Sequence, residues 1–84
     1  MKHAGPAALD QIDPLIAQIR ALPGLKEKSR GVFYLKSRAF LHFHEDPKGL
    51  FADVRTADGK EFERFKIDAP ESWDGFIEVA RTRT

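Results

Sequence analysis

Apolar residues recur at Leu9, Ile12, Ile16 and Ile19, with Leu15 and Leu22 beside them, and this stepping by three and four traces one face of an amphipathic helix. Pro14 cannot donate to a helical carbonyl, so it belongs in the first turn, with Asp10 or Asp13 as the N-cap. Leu22-Pro23-Gly24 stops the helix, and Leu25 to Gly31 reads as a charged connection. Val32-Phe33-Tyr34-Leu35-Lys36 has the aromatic and β-branched content of a strand, Ser37-Arg38 turns the chain, and Ala39 to His44 returns. Asp46-Pro47-Lys48-Gly49 is a turn before a third strand, Leu50 to Arg55. Asp58-Gly59 marks a hairpin into a fourth, Glu61 to Ile67. At Asp68-Ala69-Pro70 a proline in the first helical position, followed by Glu71, predicts a second helix that buries Trp73, Phe76, Ile77 and Ala80. Gly75 within it predicts close packing against a neighbour.

The pattern predicts an α+β fold, α-β-β-β-β-α, in which a four-stranded antiparallel meander sheet is flanked by N- and C-terminal helices. Residues 1–84 form one small domain, with 1–6 and 82–84 flexible. If Lys36 faces Ala39, then Phe33, Leu35, Phe40, His42 and His44 share one side of the sheet with Leu50, Ala52 and Val54, while Asp53 falls on the other. Both faces are then substantially apolar, so either the helices divide between the faces or one face is left for a partner.

Composition narrows the function classes. A chain of 84 residues buries only about 60% of the surface its unfolded form exposes, which leaves little stability to support an elaborate active site. Without cysteine there is no disulfide framework, thiolate zinc site or thiol nucleophile, and a cytoplasmic setting is expected. No apolar run approaches the roughly 18 residues of a membrane span, so no membrane partner is expected. The net charge of +1 gives no global attraction to nucleic acid.

Two clusters carry the candidate chemistry. His42 and His44, at i and i+2, project from one strand face at a spacing two imidazoles can use to hold a transition metal; Glu45 and Asp46 in the following turn can reach the rim. The same residues could act in acid–base chemistry, but Ser29, Ser37 and Ser72 fall outside any nucleophile-elbow sequence, so the balance lies against an enzyme and no cofactor is expected. Lys26, Lys28, Arg30, Lys36 and Arg38, with Phe33 and Tyr34 among them, make residues 26 to 38 basic and aromatic, a mixture that can stack on and neutralise single-stranded nucleic acid.

Leu22-Pro23-Gly24, Gly31-Val32-Phe33, Leu41-His42-Phe43-His44, Gly49-Leu50 and Ala52-Asp53-Val54 together resemble a family of small bacterial domains sometimes labelled luciferase-domain proteins. The resemblance spans residues 22 to 79 and implies that the hairpin carrying His42, His44 and Asp53 is the hallmark of the group; no flavin or oxygen-handling site is recognisable. The expected function is a binding or interaction module, engaging a protein partner or a second copy through an apolar sheet face. The alternatives are a metal- or histidine-dependent enzyme centred on His42 and His44, and single-stranded nucleic-acid binding through residues 26–38.

Overall fold

Pro14 breaks the first helix in two. The computed structural model describes residues 2–84, and in it α1 (Pro6–Gln11) and α2 (Asp13–Arg20) flank Ile12, whose backbone at φ −110° and ψ 17° leaves the helical region. A proline at position 14 has no N–H to offer the carbonyl four residues earlier, so an unbroken hydrogen-bond ladder cannot run through it. The apolar stripe survives the break: Ile12, Leu15, Ile16 and Ile19 are all fully buried.

Among the described residues the pairing gives six strands, two more than the sequence pattern predicts. They are β1 (Lys2–His3), β2 (Leu25–Ser29), β3 (Val32–Leu35), β4 (Arg38–Asp46), β5 (Gly49–Arg55) and β6 (Phe62–Lys66). The sheet runs β2-β3-β4-β5-β6, with β1 also on β4, and every pair is antiparallel. β2 occupies the stretch expected to be a connection. Its propensity is low, and side-chain bonds tie it down: Glu27 accepts from the backbone N–H of Gly31 at 2.9 Å and from the Arg20 guanidinium on α2. β1 lies in the segment expected to be flexible, where Lys2 pairs with Glu45 and His3 with His44.

The helices all lie on one face of the sheet. The Phe76 ring of α3 (Trp73–Thr82) sits 6.5 Å from Phe43 on β4 and 5.3 Å from Phe65, and these join α1 and α2 in one core with Phe33, Leu41, Ala52 and Val54. A 3-10 turn, Pro70–Ser72, precedes α3. Trp73, expected in the core, is half-buried at its margin, with its indole N–H donating to the Ile67 carbonyl at 2.8 Å. A β-carbon on Gly75 would meet nothing within 4 Å, so that glycine is not a packing requirement. No helix among the described residues is long and apolar enough to cross a membrane.

The register departs from expectation at both central hairpins. Lys36 and Ser37, both with positive φ (52° and 72°), form the β3–β4 turn, so Leu35 rather than Lys36 faces its partner, Arg38. The pairing then shifts between Tyr34↔Ala39 and Phe33↔Leu41; this bulge leaves Phe40 unopposed, and both Phe40 and Leu41 are buried. At the next hairpin Asp46 pairs with Gly49 across Pro47-Lys48, which sets His42 opposite Asp53 and His44 opposite Phe51. Asp53 therefore lies on the histidine face, and Leu50, Ala52 and Val54 take the other. A one-residue change of register moves every side chain across the sheet.

Candidate metal centre

The side of the sheet away from the helices carries a polar centre. β4 contributes His42 and His44, β1 contributes His3, β5 contributes Asp53, and β6 contributes Arg64 opposite Asp53. Strand alternation aims these side chains outward while Leu41, Phe43, Ala52 and Val54 point into the core.

Three imidazoles meet there. One ligand nitrogen from each of His3, His42 and His44 lies within 4.8 Å of the others. His42 Nδ1 and His44 Nε2 are 2.9 Å apart, and the three ring centroids are separated by 4.8 to 5.7 Å. Sequence reasoning missed His3, and no local signal marks it; only the pairing of β1 with β4 brings residue 3 to residue 44. That pairing supplies the third ligand that a His-x-His strand lacks.

Asp53 stands beside the rings. Its Oδ2 is 3.4 Å from His44 Nε2, and the Arg64 guanidinium donates to it bidentately, Nε to Oδ1 at 2.8 Å and Nη2 to Oδ2 at 2.9 Å. Burial would raise the Asp53 pKa, but the bonds and charge of Arg64 outweigh it and hold the carboxyl below the ordinary aspartate value. Burial pushes both His42 and His44 below the ordinary imidazole value; the His44 and His3 rings and Arg64 add to this at His42, His3 and Arg64 add to it at His44, and the Asp53 charge opposes it at both, joined at His44 by the Lys2 backbone. The shift favours the neutral ring, the form that offers a lone pair to a metal. His44 Nδ1 is buried and makes no hydrogen bond of good geometry. Phe62, 37% exposed, packs its ring 4.9 Å from His42 and walls one side of the cluster.

The other residues singled out by sequence lie elsewhere. Glu45 accepts from the Gly5 N–H at 2.6 Å and lies 4.0 Å from the Lys2 ammonium. Asp46 caps its own turn by accepting from the Lys48 N–H at 3.1 Å. The basic stretch is dispersed: Arg30 reaches Asp10 and Asp13 at the α1–α2 junction, Lys28 stacks over Tyr34 at 4.7 Å, and Arg38 donates to the Gly59 carbonyl. Lys26 pairs in register with Tyr34 on β3, and Lys36 lies in the β3–β4 turn.

No protein-family model, no curated protein and no solved structure matches the chain.

Proposed function

We propose that this chain is a small metal-binding module whose centre is His3, His42 and His44. The observation that carries the reading is the approach of three imidazole nitrogens to within 4.8 Å of one another on the sheet face opposite the described helices. Nitrogen donors of this kind suit zinc and its neighbours in the first transition row, and sit about 2.0–2.1 Å from zinc. At a tetrahedral angle such bonds separate two donors by roughly 3.4 Å, so the His42–His44 pair at 2.9 Å needs only a small opening. His3 is exposed and its ring can swing inward. Three protein ligands leave a position open to water or a ligand on the solvent side, as in reactive zinc sites rather than purely structural ones. The Asp53 Oδ2 lies 3.4 Å from His44 Nε2, the nitrogen that faces His42, so its negative charge would favour a cation at this position.

Zinc titrated into the purified chain at neutral pH, followed by the imidazole C–H signals and by calorimetry, should give saturable one-to-one binding that moves all three histidines. His42→Ala with His44→Ala should abolish it, and His3→Ala alone should weaken it by about tenfold or more. Imidazole signals that stay still through several equivalents of zinc would refute the reading. So would a His3→Ala variant that binds as the parent does.

A further inference from the structure

A second site lies beside the β3–β4 turn, separated from the histidines by the Phe62 ring, which packs on His42 at 4.9 Å and under Arg55 at 4.6 Å. A cavity of about 320 Å³ opens between the β3–β4 turn, the β5–β6 turn and the end of α3. Lys36, Arg38, Arg55 and Arg83 line it, and Leu35 and Phe40 supply an apolar floor.

The two central arginines are held in an arrangement that like charges do not adopt unaided. Arg38 Nη2 donates to the Gly59 carbonyl at 2.7 Å, and Arg55 Nη1 donates to the same oxygen at 2.8 Å. Arg55 is further fixed by Nε donating to the Ala39 carbonyl at 2.7 Å and by stacking over Phe62 at 4.6 Å. Two guanidinium groups therefore converge on one neutral acceptor. Among the described residues, no carboxylate lies within ion-pair distance of either, although six other lysine and arginine side chains have such a partner. Asp58 is the only acid in the lining, and its Oδ1 already accepts from the Thr56 hydroxyl at 2.6 Å and the Lys60 N–H at 3.0 Å. Arg83 is paired with Glu63 at 2.6 Å.

The rim adds an independent sign. Lys36 and Ser37 both occupy the left-handed region, which a β-carbon disfavours and which two-residue hairpins normally fill with glycine or asparagine. That strain falls in a turn that lines the cavity, and strained backbone positions gather at ligand sites.

We infer that this cavity binds a small organic phosphate monoester, its dianionic head between Arg38 and Arg55 with Lys36 closing over it, its apolar body on Leu35 and Phe40. Planar guanidinium forks match phosphate oxygens, and a dianion relieves the repulsion between two cations that share one acceptor. The volume is at the lower end of small-ligand pockets, which suits a body the size of one aromatic ring.

The test is a titration of zinc-free protein with phenyl phosphate, with inorganic phosphate in parallel, read from the Nε–H signals of Arg38 and Arg55. Saturable shifts of both signals are expected, with phenyl phosphate binding more tightly than inorganic phosphate because of the apolar floor. Arg38→Gln and Lys36→Gln each change a surface group and should retain the fold, as unchanged histidine signals would show; Arg38→Gln should weaken phenyl phosphate by about tenfold or more. Arginine signals that do not move, or an Arg38→Gln variant that binds as the parent does, would overturn the inference. A single-stranded oligonucleotide without terminal phosphate that moved the same signals at lower concentration than phenyl phosphate would also overturn it, by assigning the cations to a nucleic-acid backbone.

Discussion

Asp53→Asn tests the polar centre most directly, because the asparagine keeps the shape of the side chain and removes its charge. In the parent the carboxylate is 9% exposed and receives two bonds from a guanidinium that is 49% exposed. An amide oxygen can retain one of those bonds, while Arg64, half in water, is rehydrated instead of being left as a buried unpaired charge. The cost therefore falls short of the roughly 3–5 kcal/mol seen when a fully buried pair is broken. It belongs to the range for a charge-assisted hydrogen bond, reduced by solvent screening, at about 1–2 kcal/mol. Against a total stability of about 4–13 kcal/mol for a chain of 84 residues, that loss is easily measured. In urea, with a slope of roughly 1 kcal/mol per molar, the midpoint should fall by about 1–2 M. A second reading comes from the histidines. The Asp53 charge works to raise the pKa of both His42 and His44, so its removal should move both NMR titration midpoints to lower pH. An unchanged urea midpoint, or histidine midpoints that rise, would refute the placement of Asp53 against the cluster.

Stability should depend on pH through the same rings. Because burial depresses His42 and His44 below their unfolded value of about 6.5, their contribution is complete above that pH, declines as pH falls and the unfolded chain takes up protons first, and levels off below the folded values. Urea midpoints that are flat between pH 7 and 5 would contradict it. Asp53, depressed in the folded state, keeps its contribution above about pH 4 and loses it as pH falls further, so a second decline should be present in the parent and absent in Asp53→Asn. Gly31→Ala should cost about 2–4 kcal/mol by urea unfolding, since a β-carbon there would lie 2.9 Å from Leu9 and 3.3 Å from Phe43 on a backbone at φ +78°; a cost below about 1 kcal/mol would mean that Leu9 and Phe43 do not close on the β2–β3 turn.

Much of the fold is legible in local patterns, and what is not legible depends on pairing. The Ile12, Ile16 and Ile19 stripe, the aromatic strands, and the turns at Asp46-Pro47-Lys48-Gly49 and Asp58-Gly59 announce themselves because periodicity and turn chemistry are local properties. β2 does not, because Leu25-Lys26-Glu27-Lys28-Ser29 has no β-branched residue, and its conformation is imposed by β3 and by the Arg20–Glu27 and Gly31–Glu27 bonds. His42 and His44 are visible as an i, i+2 pair. Asp53 requires the register, which one residue of error in the turn reverses, and His3 requires a strand of two residues that no propensity could distinguish from a loose terminus. The centre is thus half written in one hairpin and half in contacts about ten and about forty residues away.

The short strand β1 has a consequence for the behaviour of the molecule in concentrated solution. β4 runs for nine residues, but β3 covers its flank only as far as Leu41; beyond that point Ala4 donates to the Phe43 carbonyl at 3.0 Å, and His3 and Lys2 pair with His44 and Glu45. Without those residues, the flank would present a row of free amides and carbonyls beside Phe43, a ready template for a strand from another molecule. Residues 2–4 are therefore the guard on an aggregation-prone edge. Any event that pulls them away, whether proteolysis or a competing partner for His3, would expose a sticky strand as well as dismantle the cluster of imidazoles.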